Sequence, residues 1–241
     1  MSASGFVKRL RAISSRREIE KVARFFDGDG KGNRIMGVPI GKVFPVAKEY
    51  VHASMADVET LLESPYYEVR MGAVSIMDFQ ARAKSTSPAQ RKALFDLYIK
   101  RLDRINNWDL VDRAAPHVVG RYLIDKPRSV LYKLAKARDP WKRRTAIVST
   151  GYFIRSGEVD DTFRIAELLV KDKHELVQKA VGSWVREAGK RDESRLLRFL
   201  DKHASGMPRV MLRYAVEKLD RKTREQYMRT AAVQSMSRSK E

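Results

Sequence analysis

Two side chains one helical turn apart carry the most chemistry in this chain: Trp108 and Asp112, within the run Asn107-Trp-Asp-Leu-Val-Asp112. A spacing of four puts both on one face of a helix. The indole offers an electron-rich face and the carboxylate a fixed negative charge. The chain around them carries a formal net charge of +19. An acid kept among so many cations is either a structural counter-ion or a catalytic carboxylate, one that steadies positive charge or accepts a proton.

With 241 residues, 43% of them hydrophobic, the chain can bury a real core, as one elongated domain or two small ones. Its 49 Lys+Arg against 30 Asp+Glu favour a polyanionic partner, nucleic acid before an anionic membrane surface. The absence of cysteine excludes disulfides, a thiolate nucleophile and cysteine-ligated metal centres. No apolar run approaches membrane-spanning length and the N-terminus lacks a signal-peptide pattern, so a soluble, cytoplasmic protein is expected, nucleoid-associated when bound to DNA. Acidic residues are interspersed with the basic ones, and most single Lys or Arg side chains read as solvated helix faces. The densest exception is the stretch Lys126 to Arg144, with eight basic residues and one acid, Asp139.

Strand signals are poor and helix punctuation is abundant. Ser87-Pro-Ala-Gln90 reads as N-cap, proline at the first helical position and capping-box glutamine. Asn107 precedes one helix, Asp139-Pro140 opens another, Gly157 follows a C-terminus and Met207-Pro208 begins one more. The pattern predicts helices near 5–12, 16–26, 39–51, 55–63, 65–83, 88–104, 108–124, 127–137, 140–156, 160–171, 174–189, 192–203, 208–218 and 221–231. Short connections make neighbours antiparallel. Paired, the second helices share a small residue: Ala73, Ala115, Ala146, Ala180 and Ala215, at gaps of 42, 31, 34 and 35 residues. Such a period fits stacked helix pairs, an all-α solenoid; the alternative is an irregular helical bundle. The expected organisation is one repeat domain over 1–231, with N-terminal helices in 1–51, repeats from about 55 onward, and a flexible tail at 232–241.

On the helix near 174–189, the stripe Val177, Ala180, Val181, Trp184, Ala188 is apolar, and the opposite stripe is Lys179, Ser183, Arg186, Lys190. A solenoid that repeats such a face presents a cationic groove suited to a phosphate backbone. Other motifs are weaker. Asp27 to Asn33 begins like a calcium loop, but Lys31 stands at a ligand position and Val38 replaces the bidentate glutamate, so it reads as a loop. His52, His117, His174 and His203 lack metal-ligand spacing, and neither a metal nor a cofactor is expected. His117 reads as structural. Trp108 could instead anchor its helix in the core, Trp141 could pack over its own helix, and Asp112 could pair with a neighbouring arginine. Against that, Asp112 occupies the repeat position where Arg70 and Arg143 stand in other pairs.

Taken together, Met36-Gly-Val38, Asn107-Trp-Asp-Leu-Val-Asp112, Trp141-Lys-Arg-Arg-Thr-Ala-Ile147, Gln178-Lys-Ala-Val-Gly182 with Arg186-Glu187, and Met207-Pro-Arg209 resemble the AlkD-like DNA alkylation repair family over roughly 30–220. The resemblance implies a right-handed superhelical solenoid of HEAT-like antiparallel helix pairs that grips duplex DNA as a monomer. It implies a DNA glycosylase that hydrolyses the N-glycosidic bond of N3- or N7-alkylated purines, without metal or cofactor. By motif position Asp112 matches the catalytic aspartate and Trp108 the first active-site tryptophan. The pair Arg143 and Arg144 matches the phosphate-binding arginine motif, and Phe25 or Phe26 falls near an N-terminal aromatic, with Phe26 taken as a DNA contact. Lys179, Ser183, Arg186 and Trp141 complete the expected DNA-binding set. An alkylated purine is already a cationic leaving group, so the enzyme chiefly stabilises charge on the sugar. One departure stands out: Ser183 occupies the place of the second active-site tryptophan, and Trp184 lies one residue on, about 100° around the helix. The rival readings are a non-catalytic repeat protein for bent, branched or damaged DNA and a protein-binding helical scaffold.

Overall fold

The five alanines whose spacing marks the repeat are all buried, none more than 3% exposed. They sit where helix meets helix. The computed structural model describes residues 2–23 and 33–238, and among these every regular element is helical apart from an isolated bridge between Arg34 and Tyr66. Phe25, Phe26 and the run Asp27 to Gly32 — the calcium-like loop up to its last residue — lie outside the described residues.

The chain divides between Tyr122 and Leu123 into two units. The first holds α1 (Ala3–Arg11), α2 (Arg16–Ala23), α3 (Ile40–Glu49), α4 (Met55–Leu62), α5 (Tyr67–Arg82), α6 (Pro88–Lys100) and α7 (Trp108–Ala115). The second holds α8 (Ser129–Ala135), α9 (Pro140–Arg155), α10 (Asp160–Leu169), α11 (Glu175–Gly189), α12 (Glu193–His203), α13 (Arg209–Ala215) and α14 (Arg221–Arg238). In each unit antiparallel pairs stack so that their second helices touch: α5 packs on α3 and α7, and α11 on α9 and α13. The first helices, such as α10 and α12, cover that layer from one side. This is the all-α arrangement of stacked HEAT-like pairs that the alanine period predicts.

Local chemistry sets the helix ends. The Ser87 hydroxyl accepts from the Gln90 amide at 3.2 Å while the Gln90 side chain accepts from the Ser87 amide at 2.9 Å, the capping box read from sequence. Asp139 accepts from the Trp141 amide at 2.8 Å and opens α9. Gly157, at φ +89°, closes it in the left-handed conformation that glycine adopts without strain. Two boundaries differ from expectation. The helix predicted over 108–124 leaves α geometry at Ala115 and continues as one π-helical turn, Pro116–Gly120, in which the Arg121 amide reaches the Pro116 carbonyl at 2.9 Å. Proline has no amide hydrogen and its ring crowds the carbonyl four residues back, so the wider turn relieves the helix there. At the other end α14 runs to Arg238 rather than stopping near 231, since no glycine or proline follows Thr230 to break it.

Close packing depends on glycine at particular contacts. A Cβ on Gly151 would run into the Trp184 ring, and one on Gly182 into the Met211 carbonyl oxygen. The second clash is against backbone, so α11 and α13 would have to separate. Gly182→Ala should therefore destabilise the protein by about 1–3 kcal/mol, the range for overpacking a filled core, read as a lowered urea midpoint with an unchanged m-value.

Candidate active site

Only eight residues long, α7 starts on Asn107 without a side-chain cap. So short a helix has few internal hydrogen bonds and takes its stability from packing. Leu110, Val111, Ala114 and Ala115 are fully buried. Leu110 and Val111 alone contribute about 1.5–3 kcal/mol each through that burial. Polar contacts from α5 add to it. The Tyr67 hydroxyl donates to Asp109, whose other oxygen accepts from the Leu110 amide at 2.8 Å. Arg70 donates to Asn106 at 3.3 Å, to the Ser64 carbonyl at 2.8 Å and to Asn33.

Beside that sealed face lie the two residues singled out by spacing. Trp108 is half-buried and Asp112 exposed, one turn apart, as the spacing requires. Arg113, next to Asp112 in sequence, turns back into the unit between Phe44 and Phe79, its guanidinium carbon 5.1 and 4.8 Å from the ring centroids. Burial pulls its pKa down while Asp78 opposes the fall. Arg70, at the repeat position equivalent to Asp112, is 1% exposed, and burial, aided by Arg104, lowers its pKa to about 10, still charged near neutrality.

The remaining described candidates lie in the second unit. Trp141 is 7% exposed and meets His174 edge-on at 5.4 Å. Arg143 points inward: Nε and Nη2 contact the Asp172 carboxylate at 2.5 and 3.0 Å, and Nη1 the carbonyls of Ala137 and Arg138 at 3.0 and 2.6 Å. Arg144 is 6% exposed and donates to the Leu176 carbonyl. Both arginines thus tie α9 to the turn before α11 and to its first residues. Lys179, Ser183 and Arg186 lie half-buried along one face of α11, with exposed Lys190 continuing the row. Lys179 pairs with Glu175 at 2.5 Å and holds that carboxyl below the ordinary range; Arg186 contacts Glu217 and Glu187. Trp184 is half-buried and rests on Gly151, beside Arg155, Glu187, Lys190 and Arg191.

Sequence reasoning found the outward pair and the α11 row but missed Asp78, a buried carboxylate on α5 whose Oδ1 lies 2.8 Å from His117 Nδ1. A lone acid inside the apolar pattern of 69–81 was the available signal. The inward role of Arg143 has a direct consequence. Asp172 is 3% exposed in its side chain, so Arg143→Ala leaves a buried charge without its bidentate partner. Chemical denaturation should show a loss of about 3 kcal/mol, and Arg143→Lys should recover only part of it, since an ammonium cannot form the fork.

A family model described as DNA alkylation repair enzyme matches residues 6–219. No curated protein sequence matches the chain. Among solved structures, a predicted DNA alkylation repair enzyme from Enterococcus faecalis superposes with a TM-score of 0.66 over 86% of this chain and 97% of that one, at 14% identity, a likeness of fold. With nearly its whole helical array inside the family model, the chain belongs to the DNA alkylation repair enzyme family.

Proposed function

We propose that this protein is a DNA glycosylase that hydrolyses the N-glycosidic bond of N3- or N7-alkylated purines in duplex DNA. The observation that carries the reading is an exposed Asp112 one turn from a half-buried Trp108, on a helix whose Leu110, Val111, Ala114 and Ala115 are fully buried. Alkylation at N3 or N7 leaves the purine positively charged. When the bond from C1′ to the base breaks, its electron pair neutralises the ring and the base departs without needing a proton. Positive charge then resides on the sugar. Asp112 stabilises it by Coulomb attraction and Trp108 by its ring face. Water adds to C1′, and the proton it sheds is received by Asp112 and passed to solvent. Nothing in this sequence requires an acid catalyst.

The charge of +19 supports duplex DNA as the partner. Among the proposed phosphate contacts, Lys179 and Arg186 exchange the carboxylates of Glu175, Glu187 and Glu217, all at least one-third exposed and so weakly held. A contact by Arg143 or Arg144 requires giving up inward hydrogen bonds. Ser183 offers a hydroxyl beside Lys179 on the same face, and Trp141 and Phe26 complete the proposed set. Ser183 in place of an indole leaves Trp108 as the outward tryptophan of the matched pair, consistent with a slower enzyme.

The test is release of methylated purine from an alkylated duplex, followed by chromatography. Wild type should release base, and Asp112→Asn should be at least about 100-fold slower while binding the duplex with similar affinity. Equal release by both removes Asp112 from the reaction. Tight, salt-sensitive binding with no release by either establishes the non-catalytic DNA-binding reading instead. Lys179→Ala with Arg186→Ala should reduce the slope of log affinity against log salt by about two, measured by fluorescence anisotropy from low to physiological salt.

A further inference from the structure

Asp78 lies inside the first unit with its side chain 1% exposed, and three basic side chains converge on it. It faces Arg113 Nη1 at 3.0 Å, His117 Nδ1 at 2.8 Å and Arg82 Nη1 at 3.6 Å. Neither oxygen receives an aligned hydrogen bond, so the close approach of two guanidinium groups and an imidazole is what offsets the burial of this carboxyl. Arg113 is itself fixed by Phe44, Phe79 and a hydrogen bond from Nε to the Ser75 hydroxyl at 3.1 Å. Arg113 stands one residue after Asp112, and His117 just beyond Pro116, where α geometry gives way to the π turn. One buried carboxylate therefore staples α7 on both sides of its weak point.

We propose that Asp78 is a positioning residue for Asp112: through Arg113 and His117 it sets the rotation of α7, and with it the direction of the Asp112 carboxylate. The inference rests on the glycosylase reading above. The geometry gives it leverage. Turning a helix by about 20° moves a group at its outer radius of about 5 Å by nearly 2 Å. A displacement of about 1 Å can cost 100-fold in rate. The hydrophobic face of α7 resists tilting, but four small or branched side chains define rotation poorly; the charged contacts define it.

A double-mutant cycle on the full-length protein separates positioning from stability. Single-turnover base release is measured with saturating enzyme for wild type, Asp78→Asn, Asp112→Asn and the double variant, with duplex affinity measured in parallel. Asp78→Asn should slow release by about 10- to 100-fold with affinity changed less than about twofold. In the Asp112→Asn background it should change the residual rate by less than about twofold, because the two residues act as a unit. Slowing both backgrounds by one factor, or neither, overturns the inference. Should Asp78→Asn fail to fold, His117→Gln keeps the Asp78–Arg113 pair, and the same cycle should show a loss of a few fold that vanishes in Asp112→Asn. A wild type that releases no base overturns the glycosylase reading as well, whereas an active wild type with an additive cycle overturns this inference alone.

Discussion

A helix of eight residues that ends on a proline cannot hold its own orientation, and in this protein the outward carboxylate sits on such a helix. Every property ascribed to Asp112 therefore depends on the grip of α5 on α7. The grip has an apolar part, the fully buried Leu110, Val111, Ala114 and Ala115, and a polar part that touches α7 at its start, its middle and past its end. Tyr67 binds Asp109, Arg70 binds the turn before Trp108, and Asp78 faces Arg113 and His117. These partners spread along most of α5, the longest helix of its unit. A rigid mount suits electrostatic catalysis, in which a charge fixed beforehand need not reorganise as the reaction proceeds.

The large positive charge does less at the surface than the composition suggests. Several arginines are builders of the repeat: Arg70, Arg143 and Arg144 direct their donors to carbonyls, amides and a carboxylate inside the stack. Arg128 does the same for α8, reaching Asp161 at 2.5 Å and stacking on Phe153 at 3.9 Å. Arg104 reaches carbonyls at the end of α4, where the helix dipole favours a cation. Guanidinium suits this work because its planar fork satisfies several acceptors at once. By contrast, Lys179 and Arg186 on α11 are paired with the exposed or partly exposed carboxylates of Glu175, Glu187 and Glu217.

Much of the architecture was legible because helix punctuation is local. The Ser87 box, the Asp139 cap and the Gly157 stop need only neighbouring residues, and the alanine period reports close approach whatever its partner. The outward pair was legible for the same reason, since spacing along one helix decides its face. What sequence could not show is long-range pairing. Nothing near Arg143 in sequence points to Asp172, 29 residues on, as the partner of its guanidinium fork. His117 reads as partnerless until Asp78 is brought to it across the α5–α7 contact. Trp184 reads as a member of the apolar core stripe, but the structure leaves it half-buried, its ring over Gly151 and beside Arg155, Glu187, Lys190 and Arg191.

The central claim is that a mounted negative charge meets positive charge on the sugar. It is tested most directly by affinity for duplexes carrying, at one position, either a cationic pyrrolidine or a neutral tetrahydrofuran in place of the nucleoside. A transition-state mimic should gain from interactions made only as charge develops. The wild type should bind the cationic duplex at least about tenfold more tightly than the neutral one, and Asp112→Asn should erase the preference, a difference of about 1.4 kcal/mol or more. Equal affinity of the wild type for both duplexes would contradict the claim.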